Sequence, residues 1–189
     1  ARRAALARRA DGWGLLPQGA VSGQLRLDTP DLAWAAQLAG GNWHSGGRLT
    51  GTLRLAGTAA SPRLSGQVEG DGLSLTALDQ GLYLEEGRLR LKLEGDQARL
   101  ETLHFASPVR TRPAERRAVP ELGDAPAEPP LQASGEIRLA DGSGRFHIQD
   151  HHLPVLQLPG RWLMLTADTR LHSVPRGIAL TGTVSADGG

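Results

Sequence analysis

From Val21 onward, apolar and polar residues alternate with a period of two. Val21, Gly23, Leu25 and Leu27 fall on one parity, with Gln24 and Arg26 on the other. Leu32, Trp34, Ala36 and Leu38 repeat the pattern and predict a second strand. Leu49, Gly51, Leu53 and Leu55 follow, then Leu64, Gly66 and Val68. The register breaks at Gly70-Asp71-Gly72 and resumes at Leu73, Leu75 and Ala77. Leu82 and Leu84 precede a predicted turn at Glu85-Glu86-Gly87, and Leu89, Leu91 and Leu93 come after it. Ala98, Leu100, Leu103 and Phe105 complete the first half. Alternation returns at Leu131, Ala133, Gly135, Ile137 and Leu139, then at Gly144, Phe146 and Ile148, with Gly142-Ser143-Gly144 reading as a hairpin turn. Leu153 to Leu158 and Arg161 to Thr166 are apolar but less regular, and Ile178, Leu180, Gly182 and Val184 close the series. Strict alternation belongs to strands with one wet and one dry face, whereas buried parallel strands give solid apolar runs. The pattern predicts an all-β, antiparallel sheet.

One short unit recurs at Gly23–Leu27, Gly51–Leu55, Gly87–Leu91 and Gly135–Leu139: glycine, any residue, Leu or Ile, arginine, leucine. The glycine shares the leucines' face, and Arg26, Arg54, Arg90 and Arg138 point the other way. A repeated strand unit that cannot bury its own apolar face argues for a stacked, quasi-one-dimensional array, although the spacing is too irregular for a strict solenoid. Between Ser107 and Pro130 the alternation stops, and this segment holds Pro108, Pro113, Pro120, Pro126, Pro129 and Pro130 with Arg110, Arg112, Arg116 and Arg117. Proline donates nothing to a ladder, so a long mobile loop is predicted, read as a tolerated insertion before a docking or gating element. Arg2 to Arg9 read as a short basic helix ending before Gly12 and Gly14. The resulting division is a helix or linker over 1–14, a first sheet half over 15–106, the loop over 107–130 and a second half over 131–189. The only methionine is Met164, and the chain stops directly after a strand-like run, so both ends are expected to be cuts in a longer polypeptide.

Composition narrows the chemistry. Twenty-one basic residues against 20 acidic ones give a net charge of +1, and no clustered basic face is available for a nucleic acid. No cysteine is present, which removes disulfides and thiolate chemistry. No run approaches the roughly 20 apolar residues of a membrane span, and Ala1 to Ala10 lacks the apolar core of a signal peptide. An anchor or export signal is therefore expected outside this piece. Aromatics make up 4% of the chain and leucine dominates, which disfavours a carbohydrate-binding or base-stacking surface. Trp34 and Trp162 sit inside apolar runs and read as wall or core residues. The one cluster with metal-ligand character is His147, Asp150, His151 and His152, and a polar turn before Leu153-Pro154 explains it better than a metal. No nucleophile elbow, phosphate loop or cofactor fingerprint occurs, so neither an enzyme nor a cofactor is expected.

The order of certain phrases resembles the TamB family of translocation and assembly modules, within the AsmA-like superfamily. Leu53-Arg54-Leu55-Ala56-Gly57-Thr58, Ser61-Pro62-Arg63-Leu64-Ser65-Gly66 and Leu73-Ser74-Leu75 are similar to its recurring strand phrase. Gly81 to Leu89 is similar to the phrase that follows, as is the stretch from Leu153 to Val184. The resemblance implies an elongated open sheet curled into a U-shaped hydrophobic groove, the β-taco. It also implies a location in the periplasm of a Gram-negative bacterium, a parent protein anchored in the inner membrane, and phospholipid acyl chains as cargo. It further implies an Omp85-type outer-membrane barrel, TamA, as partner, and it carries no catalytic residues. The residues expected to line the groove are Leu25, Leu27, Leu32, Trp34, Leu49, Leu53, Leu55, Leu64, Val68, Leu73, Leu75, Leu89, Leu91, Leu93, Leu100, Ile137, Leu139, Ile148, Ile178, Leu180 and Val184. Two alternatives stay open: a scaffold for outer-membrane protein assembly or secretion, and a closed β-sandwich in which the same leucines meet a second sheet. Cutting an array exposes edge strands, so self-association of the segment through its terminal strands is also expected.

Overall fold

A computed structural model describes residues 6–9, 12–15, 18–39, 42–110 and 130–188. Its elements are β1 (Leu6–Arg9), β2 (Gly12–Leu15), β3 (Gly23–Thr29), α1 (Ala33–Ala39), β4 (Trp43–Gly57), β5 (Pro62–Ala77), β6 (Leu82–Gly95), β7 (Gln97–Ala106), β8 (Leu131–Arg138), β9 (Gly144–Leu158), β10 (Arg161–Val174) and β11 (Gly177–Gly188). Strands β3 to β11 form one nine-stranded sheet in which every strand pairs antiparallel with its neighbours in sequence. The fold is all-β, an elongated open sheet curled into a U. Among the described residues no second sheet packs on its apolar face, so the leucines are not sealed in a sandwich.

The curl is visible in one long-range bond. The Gln157 N–H at the end of β9 donates to the Gln80 carbonyl in the β5–β6 turn, at 3.0 Å. These segments are separated by two strands, β7 and β8, which stop at Ala106 and begin at Leu131 and so leave room for the contact. Gly81 is required here, because a Cβ at that position would run into the Gln157 backbone.

Alternation survives over strands of up to 16 residues because bulges correct the register. The β4–β5 ladder shifts between Gly46 and Arg48, around Gly47 at φ 102°. The β5–β6 ladder shifts between Gly70 and Leu73, at the glycine pair where the sequence breaks parity. A one-residue slip would otherwise turn every following side chain to the wrong face. The turn predicted at Glu85-Glu86-Gly87 is likewise a bulge inside continuous β6, with Glu86 at φ 53°. It keeps buried Leu84 on the side of Leu89 and Leu91.

Two predicted elements are corrected. Leu32, Trp34, Ala36 and Leu38 do not form a strand, since Ala33–Ala39 is helix α1. Asp31 Oδ1 accepts a 2.9 Å bond from the Ala33 N–H, which satisfies one of the donors a helix start leaves open. The following AWAAQLA holds strong helix formers and no β-branched residue. Leu32 and Ala36 are four apart, a spacing compatible with either period. The basic helix expected over Arg2–Arg9 is also absent where the chain is described. Leu6–Arg9 pairs as β1 with β2, Leu6 opposite Leu15. A helix that short is marginal in water, and Gly12 and Gly14 oppose its extension.

Gly66 carries a testable consequence. It lies at φ 144°, and a Cβ there would overlap the Thr52 carbonyl oxygen, while a Cβ on Gly23 would meet nothing within 4 Å. Gly66→Ala should cost about 2–3 kcal/mol in urea unfolding, and Gly23→Ala should stay within about 0.5 kcal/mol of the parent. Equal costs would show that close cross-strand approach is not what the glycine provides.

Candidate functional site

Following the pairing register across the sheet gives three complete rows of side chains on one face. The first is Leu25, Leu53, Gly66, Leu93, Ala98, Ile137, Gly144, Ser173 and Ile178. The second is Leu27, Gly51, Val68, Leu91, Leu100, Gly135, Phe146, Leu171 and Leu180. The third is Thr29, Leu49, Gly70, Leu89, Leu103, Ala133, Ile148, Thr169 and Gly182. No charged group occurs in any of them. A shorter row, Leu55 and Leu64 opposite Gly95, borders the wall at one end. With strands about 4.8 Å apart, each row extends roughly 38 Å measured along the sheet.

Exposure rises from the middle of this wall to its margins. Val68, Leu93 and Ala98 on β5 to β7 are buried and form the floor, with Leu27, Leu49, Leu53, Leu64, Leu91 and Ile137 packed around them. At the margins Leu25 is 60% exposed, Ile178 71%, Leu180 63% and Val184 62%. That gradient is expected of a trough whose sides approach at the bottom and part at the rim. Glycines set its cross-section, for Gly51, Gly66, Gly70 and Gly135 stand beside leucine, valine or phenylalanine in their rows. A Cβ on Gly70 would come within 3.1 Å of Leu49, Leu73 and Leu89 side chains.

The opposite face is charged and neutralised by pairs: Arg48–Asp28 at 2.9 Å, Arg90–Glu69 at 3.6 Å, Lys92–Glu94 at 2.6 Å and Arg145–Glu136 at 2.8 Å. Arg26, Arg54, Arg90 and Arg138 are all exposed on it. Such exposed pairs add little stability each, and their effect is to keep this face in water.

One end of the trough is partly closed on both sides. On the β4 side, α1 is bound through Ser45, which shares a face with Leu75 and Leu84. Ser45 Oγ accepts from the Ala36 N–H at 2.9 Å and donates to the Leu32 carbonyl at 2.6 Å. Leu32 and Trp34 therefore do not line a strand face as expected; Leu32 lies in the lead-in to α1, and Trp34 on the helix is 52% exposed. Leu139 also falls outside the wall, in the β8–β9 turn, at 45% exposure. On the β9 side the start of the proline-rich segment fastens the seam. The Arg110 N–H donates to Gln157 Oε1, its guanidinium pairs with Glu85 and stacks 4.1 Å over the Tyr83 ring, and Ser107 Oγ donates to the Tyr83 carbonyl. Residues 111–129, most of the predicted loop, lie outside the described residues.

The histidine cluster is divided between faces. His147 is on the outer face, 2.7 Å from Asp168, which also accepts from Gln149 Nε2 at 3.1 Å. The bond to His147 holds the Asp168 carboxyl below its ordinary pKa. Asp150 belongs to the inner face, in a row with Leu131, Ala167 and Val184. It is 6% exposed and its Oδ1 has no hydrogen-bond partner. Burial raises its pKa, opposed by a bond from the Ala167 backbone. Beside it, Asp187 accepts from Thr166 Oγ1 at 2.7 Å and lies 3.2 Å from His152 Nδ1. Among the described residues no group of three or more acidic or histidine side chains is arranged to hold a metal. Alternation places Asp150 on the wall face but gives no sign that it is buried and short of a partner. That depends on the β9–β10 overhang, where Leu153, Pro154 and Met164 are buried together.

Comparison of the chain with family models, curated proteins and solved structures finds no match.

A raised carboxyl pKa in the folded state favours the protonated form. Stability from Asp150 is therefore present below the unfolded value, about 3.9, and is lost as pH rises through the folded value. Asp150→Asn removes that loss. Its urea midpoint should draw ahead of the parent's as pH rises above about 4. A constant difference from pH 3 to 8 would mean that Asp150 does not titrate in this environment.

Proposed function

We propose that the chain is a segment of a lipid-conducting groove, in which phospholipid acyl chains lie against the leucine wall while their headgroups remain in water. The observation that carries this reading is the pair of faces on one curled sheet: three uncharged rows inside, open at the rim, and a neutralised charged surface outside. Transfer of a CH₂ from water contributes about 0.8 kcal/mol, so an acyl chain of about 16 carbons gains on the order of 10 kcal/mol in a dry groove. An open rim spares the headgroup its desolvation cost. A wall repeated in leucine and glycine, with one aromatic ring, Phe146, and no charge along its three rows, offers many similar positions rather than one deep one. That suits movement along the wall.

The resemblance to the TamB family supports the same reading and extends it. The segment would belong to a periplasmic, inner-membrane-anchored protein that carries phospholipid towards the outer membrane, in company with an Omp85-type barrel.

The test contrasts adjacent residues. Native mass spectrometry of the purified chain should detect co-purified phospholipid. Leu53→Asp and Leu91→Asp each place a charge in an inner row and should reduce bound lipid at least tenfold, the equivalent of about 1.4 kcal/mol. Arg54→Asp, on the outer face, should leave it unchanged, with folding of all three verified by circular dichroism. Equal loss at Leu53 and Arg54, or no lipid on the parent chain, would sink the groove as an acyl-chain site.

A further inference from the structure

Beyond the third row the sheet divides. β7 ends at Ala106, opposite Glu85, and β8 begins at Leu131, opposite Asp150. β4, β5 and β6 continue past that level as one flank, and β9 with β10 as another. Both flanks change register at this same level. The ladders shift between Gly46 and Arg48, Gly70 and Leu73, and Glu85 and Arg88 on one side, and between Leu165 and Ala167 on the other. Among the described residues, the two non-glycine positions with positive φ both fall on this line, Glu86 at 53° on β6 and His152 at 51° on β9. A bulge interrupts the ladder and leaves a residue unpaired, so a line of bulges is where a sheet bends most easily. Hinges consist of a few such positions that absorb a change in φ and ψ.

What joins the two flanks is slight and polar by contrast. Among the described residues one backbone bond crosses between them, from the Gln157 N–H to the Gln80 carbonyl. Gln157 also donates from Nε2 to the Pro108 carbonyl at 3.2 Å and accepts from the Arg110 N–H. Arg110 then carries this strap to the other flank through Glu85 and the Tyr83 ring. The Arg110 and Glu85 side chains are 49% and 39% exposed, and water competes for bonds of this kind. Apolar side chains of both flanks are shut away, Ala77 and Leu84 on one, Leu153, Pro154 and Met164 on the other.

We infer that the seam is a latch and the line of bulges its hinge: when the Arg110 strap releases, the flanks swing apart about Glu86 and His152 and open this end of the trough. The part played by cargo rests on the acyl-chain reading. The open form adds the apolar residues of both flanks to the wall, and an acyl chain lies against them only when the flanks are apart. A ligand shifts such an equilibrium by binding one form better than the other, so a bound chain favours the open form. The opening itself needs no lipid.

The absence of cysteine permits site-specific spin labels. Labels at Asp79→Cys and Arg161→Cys, exposed positions at the tips of the two flanks, report their separation by double electron–electron resonance. With no other change the chain should give a dominant short distance. Arg110→Glu sets a carboxylate against Glu85 and removes the cation from the Tyr83 ring, and should raise the population at longer distance about tenfold. Glu85→Arg should act in the same direction, and the two reversals together should restore most of the short distance, which general destabilisation would not do. Palmitoyl lysophosphatidylcholine, added below its micelle concentration, should move the chain with its native strap towards the longer distance, with binding followed by native mass spectrometry. Unchanged separation in both single reversals would overturn the latch, as would lysolipid bound without any change in separation. Absence of lysolipid binding, with the reversal effects intact, would instead sink the acyl-chain reading and leave the hinge and latch established.

Discussion

Each strand of the main sheet is hydrogen-bonded to its neighbours in sequence, β4 to β10 on both sides and the end strands β3 and β11 on one. From this sequential ladder the rest of the molecule follows. Antiparallel pairing puts directly opposed residues on the same face, so a parity kept along the chain becomes a surface kept across the sheet. Leucine at alternate positions then makes a wall, and arginine at the intervening ones makes its outside. The ladder also explains why the apolar surface can remain open. Backbone polar groups are satisfied between neighbours, and the wall owes its shape to hydrogen bonds and not to a second layer of side chains.

A wall of leucines alone would be too thick for the sheet to curl closely upon itself. Glycine opposite leucine removes side-chain volume at intervals across the rows and permits close strand contact, as at Gly66 beneath the Thr52 carbonyl and Gly135 beneath Phe146. The bulges are equally necessary. If the backbone kept strict alternation through Gly72 and Glu86 in place of the bulges, Leu73 would turn outward and the Glu86 side chain would enter the wall. Regularity of the inner surface is thus maintained by local irregularities of the backbone.

Much of this was legible in the residues. The parity of Leu25, Leu53, Leu91 and Ile137, the outward direction of Arg54 and Arg90, and the break at Gly70–Gly72 need only the geometry of an extended chain. What escaped was whatever depends on a competing local interaction or a distant one. Ala33–Ala39 has a pattern that fits two periods, and the Asp31 cap decides between them. The Leu6–Arg9 pairing depends on a partner strand that the local composition does not announce. The seam at Gln157, Gln80 and Arg110 joins residues 47 to 77 positions apart, and no short-range signal encodes it. The burial of Asp150 is of the same kind, a product of the overhang of β9 and β10 beyond β8.

The meander has a further consequence for how such a molecule is acquired, both in time and in evolution. Apart from the Gln157–Gln80 contact, nearly all strand pairing is between immediate neighbours, so each hairpin can form on its predecessor with only a short turn to close, the long connection between β7 and β8 excepted. Folding of this kind extends from any established hairpin like a zipper, and the end strands come undone first. Gene segments that add or delete one hairpin would extend or cut back a side of the trough and leave the remaining ladder intact. The reach of the wall can thus be set by the number of hairpins, one pair of strands at a time, with no new fold to invent.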